Sequence, residues 1–164
     1  MKRKIVLYML ALFVFSASGA LYATLGATFG DFRKLTGSRG DGIFVPLSPA
    51  VGADSFPDSY PAKKAALEFI AKYEGKFGPD SRNIFAGSGY DAVILIAHAV
   101  PEALKAGNPG TPEFREGLRS GIENLKGVMG SRGEYNMGPN DHTGLDQSSL
   151  LLGKLNQGKW VLVP

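Results

Sequence analysis

Asp141 and His142 are the only neighbouring acid and histidine in the sequence. Hydrolytic chemistry would need a nucleophile and a base that a third group orients. The side chains of adjacent residues rarely face each other, and the chain has no GxSxG elbow that would expose a serine nucleophile. Because glycine and proline crowd the segment Gly138–Gly144, we expect a structured turn there and not a catalytic pair.

Two further features could carry other chemistry. Gly87-Ser88-Gly89 resembles a piece of a glycine-rich phosphate loop, but the full GxGxxG spacing and a P-loop lysine are missing. We expect this segment to allow close packing at the start of a helix. His98 lies among apolar residues without a second histidine at ligand spacing, which favours a packed or surface histidine over a metal ligand. The sequence therefore predicts no enzyme, no metal site and no cofactor.

Composition and charge narrow the function further. The 164 residues correspond to at most one ordinary domain. Lys2, Arg3 and Lys4 supply the whole formal net charge of +3, so the remainder has no basic face typical of nucleic-acid binding. The absence of cysteine removes disulfides, thiolate metal sites and thiol nucleophiles.

The first twenty residues are typical of an export signal. A basic start precedes the apolar stretch Ile5–Phe15, and small residues follow it, so cleavage is expected after Ala20. An uncleaved anchor is the alternative, because no charge occurs between Ile5 and Gly30 and about 20 apolar residues can span a membrane. Either way we expect residues 21–164 to form one periplasmic or otherwise extracytoplasmic domain.

Three segments have the hydrophobic spacing of helices. The first is Ala62–Phe77, with an apolar face formed by Ala66, Phe69, Ile70, Tyr73 and Phe77. The second begins at Tyr90 and repeats apolar residues at steps of three and four to Leu104, with a kink or break expected before Pro101. The third starts at Thr111-Pro112-Glu113, where a capping hydroxyl, a proline and an acid occur in sequence, and runs to Leu125.

The remaining segments favour strands and loops. We predict short strands at Leu21–Thr28, Ile43–Val45 and Gly133–Met137, and a hairpin whose strands Ser149–Leu155 and Lys159–Val163 flank Asn156-Gln157-Gly158. Ala50–Ser59 has no periodicity, so a loop is expected there. Together these elements predict an α/β chain with more helix than sheet.

Four stretches, in this order, resemble the C-terminal part of the periplasmic leucine/isoleucine/valine-type substrate-binding proteins of ABC importers. They are FPDSYPAKKAALEFIAKYEGKFGP, FAGSGYDAVILIAHAVPEALKAG, PGTPEFREGLRSGIENLKGVMGSRGEYNM, and NDHTGLD before a closing GKWVLV strand. The resemblance covers nearly everything from Leu21 onward. It implies a partial type I periplasmic-binding-protein fold, with helices packed on short, mostly parallel sheet remnants and without the N-terminal half of the receptor.

The resemblance also implies where a ligand would be bound. Phe85 matches an aromatic position that touches the ligand side chain, although a core role for this residue is an equal alternative. The loop from Ala23 to Thr28 matches a cleft loop in which amino-acid receptors often place an acid. Thr24 and Leu25 occupy that place here, and no acid occurs before Asp31. That departure disfavours an α-amino acid as the ligand and leaves an aromatic acid or another small organic molecule open.

The resemblance thus implies the solute-binding component of a branched-chain amino-acid type ABC transporter, with a small-molecule ligand and a membrane permease as partners. The alternatives are an interaction protein, that is, half of a receptor that needs a partner chain, and a non-functional fragment.

Overall fold

The computed structural model describes residues 19–163, so the expected export signal lies almost wholly outside the described residues. Five α-helices and five strands are present in this range. The helices are α1 Gly30–Thr36, α2 Pro49–Gly52, α3 Lys63–Phe77, α4 Ile84–Ala106 and α5 Pro112–Glu123. The strands are β1 Phe44–Leu47, β2 Val128–Met129, β3 Glu134–Tyr135, β4 Leu151–Asn156 and β5 Lys159–Leu162. The predicted mixed α/β class with more helix than sheet is confirmed.

The strands form two small sheets, and their pairing corrects one part of the prediction. Sheet order is β1-β4-β5 in one and β2-β3 in the other, and every ladder is antiparallel where mostly parallel pairing was expected. Within the described part of the chain, parallel pairing is limited to an isolated bridge between Tyr22 and Phe44. Short connections join β2 to β3 and β4 to β5, and such connections can link only antiparallel neighbours.

The hairpin turn follows from its sequence. Asn156 pairs with Lys159, which leaves Gln157 and Gly158 as the two turn residues. Both have positive φ, 49° and 73° respectively, as in a type I′ turn. Glycine adopts this conformation freely, whereas glutamine does so at a cost.

Three hydrophobic clusters hold these elements together. The largest fills the inner face of the three-stranded sheet and contains Val45, Leu47, Leu155, Trp160 and Ile84. A second joins α2 to α3 through Ala50, Ala53, Ala66, Phe69 and Ile70. A third lies under β2 and β3 and contains Val128, Tyr135 and Met137. The three-stranded sheet, the contact between α2 and α3, and the β2–β3 sheet are therefore each buried in a separate hydrophobic cluster.

The segment Ala50–Ser59 differs from the predicted loop. It contains α2 and a 3-10 helix, Ala53–Ser55, and residues 50 to 53 are buried. Small residues permit this burial, since a Cβ on Gly52 would lie 2.6 Å from Leu47 Cδ2. Such a segment has no amphipathic periodicity because all its sides are covered, and periodicity alone could not reveal it.

The apolar face predicted for α3 is mostly confirmed as buried. Ala66, Phe69 and Ile70 are buried and Tyr73 is half-buried. Phe77 was predicted to be buried as well, but it is 57% exposed at the last position of the helix. Its ring packs against Tyr73 at a centroid distance of 4.6 Å, so it covers the helix end and not the core.

Helix α4 is longer than its hydrophobic pattern predicted. It begins at Ile84 instead of Tyr90, because the Asn83 side chain caps it by accepting a hydrogen bond from the Ala86 amide at 2.9 Å. It continues through Pro101 to Ala106 without the expected break. By length and composition this helix could cross a membrane, a test that the core helices of soluble proteins pass equally well.

One side of α4 packs closely on α5, whose predicted cap by Thr111 is confirmed. Gly117 and Gly121 allow this approach. An added Cβ would lie 2.7 Å from Ala106 Cβ at the first position and 3.0 Å from the Ala99 carbonyl oxygen at the second. The two glycines therefore serve packing, although the helix alone would be more stable with alanine.

Asp91 fixes α4 to the loop between β2 and β3. Its side chain is buried, and its carboxylate accepts hydrogen bonds from the Ser131 amide at 2.6 Å, the Arg132 amide at 3.0 Å and the Tyr135 hydroxyl at 2.9 Å. Burial, and then the charge of Asp91, raise the pKa of Tyr135 above its usual range, which keeps the hydroxyl a donor. Three donors account for the buried charge, so Asp91 is a structural residue.

Candidate functional site

The burial of Ile84 turns the next side chain, Phe85, towards the surface. Ile84 is buried in the largest cluster beneath the first turn of α4. Because successive helix residues lie about 100° apart around the axis, the next side chain faces outward. Phe85 is accordingly 66% exposed. This excludes the alternative that Phe85 is a core residue.

The ring of Phe85 meets that of Phe29, with centroids 5.8 Å apart and planes tilted by 36°. Phe29 lies between the 3-10 helix Leu25–Thr28 and α1. The chain can reach this point because Gly30 lies against the loop before α4, where an added Cβ would come within 2.6 Å of the Asp80 carbonyl oxygen. The two rings form an aromatic pair, which we call the Phe29–Phe85 pair.

An ion pair holds α1 beside the same loop. The Arg33 guanidinium donates to Asp80 Oδ1 at 2.7 Å and to the Gly158 carbonyl at 3.1 Å. This contact lowers the pKa of Asp80 below its usual range, so the pair is charged at neutral pH. Arg33 therefore connects α1 to the loop before α4 and to the β4–β5 turn.

Thr24 and Leu25 lie at the start of the same segment. Thr24 is exposed and precedes the 3-10 helix, while Leu25 is half-buried and packs against the largest cluster. Within this segment, Phe29 contributes the aromatic ring that packs against Phe85. The assignment of Phe85, Thr24 and Leu25 to a ligand site stays a prediction. Phe29 joins them as a further candidate.

A cavity of about 540 Å³ is lined by residues of α1, of α2 and the 3-10 helix after it, of the loop before α4 and of β5. Arg33 and Arg82 line it, and each pairs with an acid, at 2.7 Å to Asp80 and 2.6 Å to Asp54. Trp160, the only tryptophan in the sequence, forms part of its wall. Its fluorescence can report changes in this part of the molecule.

Asp141, the acid that first suggested chemistry, takes a structural role. Asp141 Oδ1 accepts hydrogen bonds from the Gly144 and Thr143 amides, and these lower the pKa of Asp141. The predicted turn is thereby confirmed. His142 lies 3.3 Å from Glu123 Oε1, and His98 is exposed on α4. Among residues 19–163, no group of three or more histidine, aspartate or glutamate side chains could hold a metal ion.

Gly87 confirms the packing predicted for Gly87-Ser88-Gly89. A Cβ at this position would lie 2.7 Å from Ala50 Cβ and 3.2 Å from Ser131 Oγ. The glycine thus lets α4 approach α2 and the loop that binds Asp91.

Phe29 is the candidate residue that the sequence analysis did not single out. It lies next to Gly30, outside the three segments that have helical hydrophobic spacing. An aromatic residue directly after the loop Ala23–Thr28 was the one available signal. Its pairing with Phe85 connects positions 56 residues apart and exists only in the folded chain.

Comparison with known proteins agrees with the fold. No protein-family model and no curated protein sequence matches this chain. An extracellular ligand-binding receptor from Rhodopseudomonas palustris HaA2 is similar in structure, with a TM-score of 0.81 and 37% sequence identity over 90% of this chain and 41% of the receptor. A second receptor from the same strain has a TM-score of 0.79 and 34% identity over 89% and 40% of the two chains.

More distant structures share the fold alone. A branched-chain amino acid ABC transporter protein from Rhodospirillum rubrum has a TM-score of 0.58 and 23% identity, over 90% of this chain and 38% of that one. A leucine-binding protein from Thermotoga maritima MSB8 has a TM-score of 0.57 and 19% identity, over 87% and 36%.

The chain thus has part of the type I periplasmic-binding-protein fold, and it spans about two fifths of the length of these similar chains. Its similarity is to extracellular ligand-binding receptors and to the binding proteins of branched-chain amino-acid ABC transporters, as the sequence motifs predicted.

Proposed function

We propose that this protein is an extracytoplasmic solute-binding component of a branched-chain amino-acid type ABC transporter. The observation that carries the proposal is the structural similarity to the Rhodopseudomonas palustris receptor at 37% identity. In this role the protein binds a small molecule and presents it to a permease in the membrane. It binds its ligand without catalysis. It works outside the cytoplasm, because the signal-like first twenty residues would direct its export.

The Phe29–Phe85 pair supports one class of ligand. Two aromatic rings, one of them 66% exposed, offer a surface on which a flat or branched apolar group can pack. The segment from Ala23 to Phe29 contains no acid that could pair with an ammonium group. A small organic acid with an aromatic or branched apolar body fits these features better than an α-amino acid.

The first test is thermal unfolding and native mass of residues 21–164, with and without a panel of aliphatic amino acids, aromatic amino acids and aromatic acids. A ligand that binds only the native state raises the melting temperature with its concentration. We expect one compound class to do so and to leave a monomer–ligand complex of 1:1 mass. No response from any member of the panel would count against a solute-binding role, and turnover of a compound would refute it.

The site is tested by Phe85→Ala with Leu104→Ala as the matched control. Both residues are exposed apolar side chains of α4, but they are 19 positions apart, or about 28 Å along the helix. Phe85→Ala should weaken binding of the responding compound at least tenfold, because a desolvated aromatic contact is worth about 1.4 kcal/mol or more. Equal affinities of the two variants would place the ligand elsewhere.

A further inference from the structure

We propose that two copies of this chain associate through an exposed apolar face of α4, with the two helices antiparallel. The face begins at Phe85 and ends at Leu104. Between them it contains Gly89, Ala92, Val93, Ile96, Ala97 and Val100. We call these eight positions the α4 face. A contact between two copies goes beyond the binding of a solute.

The α4 face is apolar and open to solvent over its whole length. Its positions form two rows with steps of four, three and four residues, which places them on one side of a helix. Phe85, Val93, Ile96 and Leu104 are 66%, 67%, 44% and 54% exposed. None of the eight positions is charged. An apolar surface of this kind marks a site of interaction.

Contacts within the chain border the α4 face on both sides. Ala99 and Ala103 are buried against α5, where they lie beside Gly121 and Gly117. On the other border, the ring of Tyr90 packs against that of Phe69 in α3, with centroids 5.3 Å apart. The α4 face is thus the side of the helix left open between α3 and α5.

The positions of the α4 face are symmetric about its midpoint, and this favours a second copy as the occupant. The pairs at equal distance from the midpoint are Phe85 and Leu104, Gly89 and Val100, Ala92 and Ala97, and Val93 and Ile96. A two-fold axis through the midpoint turns the helix end for end and brings each position level with its counterpart in the second copy. Every apolar position then meets another apolar position.

Gly89 favours the antiparallel orientation. Among the described residues, a Cβ added at Gly89 would come within 4 Å of no other element, so the space above it is open. In the antiparallel pair, Val100 of the second copy lies level with Gly89 and fills this space. A parallel pair would place Gly89 against Gly89 and leave a gap that loses packing contacts.

The N-terminal end of the α4 face is aromatic. Phe85 packs against Phe29, and Phe29 and Phe77 line a common cavity of about 250 Å³. Leu104 of the second copy comes level with these rings. Pairing therefore covers the Phe29–Phe85 pair, and a chain that holds a solute there is a monomer. This consequence alone rests on the proposed function.

The size of the α4 face sets the strength of the association. The face is about 28 Å long and about 10 Å wide, so each copy contributes roughly 300 Å². Two such strips bury much less than the approximately 1,200 Å² of a stable interface. The pairing is therefore weak, and we expect monomers at roughly 1 μM and a measurable share of dimers at roughly 100 μM.

The test is sedimentation velocity of the 164-residue chain over this range of concentration, without added solute. Ile96→Glu places a charge near the midpoint of the face and should raise the dissociation constant of the dimer at least tenfold. Leu152→Glu is the matched control, because it adds the same charge to a leucine of β4 that is 41% exposed and lies outside the α4 face. It should change the constant less than twofold, and both variants should keep the urea midpoint of the unaltered chain.

Two results of this experiment overturn the proposal. One is a monomer at every concentration. The other is association that Ile96→Glu and Leu152→Glu weaken equally, since the apolar stretch Ile5–Phe15 or another surface would then be responsible.

The orientation is tested with single cysteines, because the chain has none of its own. A mixture of Gly89→Cys and Val100→Cys chains should give at least fivefold more disulfide-linked dimer than either variant alone. Opposed positions of closely packed helices come within the Cα separation of about 7 Å that a disulfide allows, whereas two copies of Gly89 are far apart in the antiparallel pair. Equal linking of Gly89→Cys with itself would refute the antiparallel geometry.

Failure of this proposal and failure of the proposed function can be told apart. A dimer that responds to no solute refutes only the proposed function. A chain that binds a solute but stays monomeric at every concentration without it refutes only the pairing through α4.

Discussion

Replacing Asp91 by asparagine tests how the largest helix is held in place. The carboxylate accepts from the amides of Ser131 and Arg132 and from the Tyr135 hydroxyl. An asparagine keeps one acceptor oxygen, which can continue to bind the Ser131 amide. Its amide nitrogen then faces the Arg132 N–H, a donor against a donor, whereas the Tyr135 hydroxyl can rotate to accept.

The expected loss of stability follows from these contacts. One buried N–H left without a partner costs about 1–3 kcal/mol, and the loss of charge weakens each of the other two hydrogen bonds by about 0.5 kcal/mol. Asp91→Asn should therefore lower the free energy of unfolding by about 2–4 kcal/mol. For a chain of this size that corresponds to a fall in melting temperature of roughly 4–16 °C.

Urea unfolding monitored by Trp160 fluorescence and by far-ultraviolet circular dichroism measures the change, provided that the slope with urea stays constant. Asp31→Asn is the matched control, because Asp31 is an exposed acid in the first turn of α1 and its loss should cost less than about 1 kcal/mol. If Asp91→Asn cost no more than this control, the carboxylate would not be what fixes α4 to the β2–β3 loop.

Three further outcomes are expected. Gly121→Ala should destabilise the protein despite a gain in helix propensity of about 1 kcal/mol, because the new Cβ would meet the Ala99 carbonyl oxygen at 3.0 Å; an increased urea midpoint would refute this, and Gly75→Ala, with no atom near its added Cβ, is the control. Gln157→Asn should raise the free energy of unfolding by up to about 1 kcal/mol, since asparagine tolerates the φ of 49° better, and an unchanged urea midpoint would contradict it. Tyr135 has a raised pKa in the folded chain, so the stability it contributes is complete below its unfolded value of about 10 and is lost as the pH rises through the folded pKa; Tyr135→Phe should flatten the decline of stability above pH about 10, and an unaltered alkaline profile would show that another group causes it.

Much of the fold could be predicted because it depends on neighbouring residues. The Thr111 cap, the end of α3 at Gly78 and the β4–β5 hairpin depend on residues within a few positions of the backbone they control. The turn at Asp141 is of the same kind. The start of α4 differs from the prediction, because the stripe of apolar residues begins at Tyr90 whereas the Asn83 cap sets the start of the helix at Ile84.

The candidate site could be predicted only in part. The resemblance to binding proteins singled out Phe85, but its exposure depends on Ile84 entering a cluster formed by strands far away in sequence. Phe29 joins it because Gly30 lies against the loop at Asp80. No local pattern encodes a contact between two single aromatic residues.

The sequence by itself determined the α/β class, the family resemblance, the capped helices and the hairpin, because each depends on residue types within one element or one turn. Only the tertiary structure decided which apolar residues are covered. Gly117 and Gly121 are favourable because α4 lies against them, and residues 50–53 are buried because α3, α4 and the sheet enclose them. Leu152 and Phe85 are apolar by sequence and exposed by structure, because burial requires a partner surface and the described residues do not provide one there.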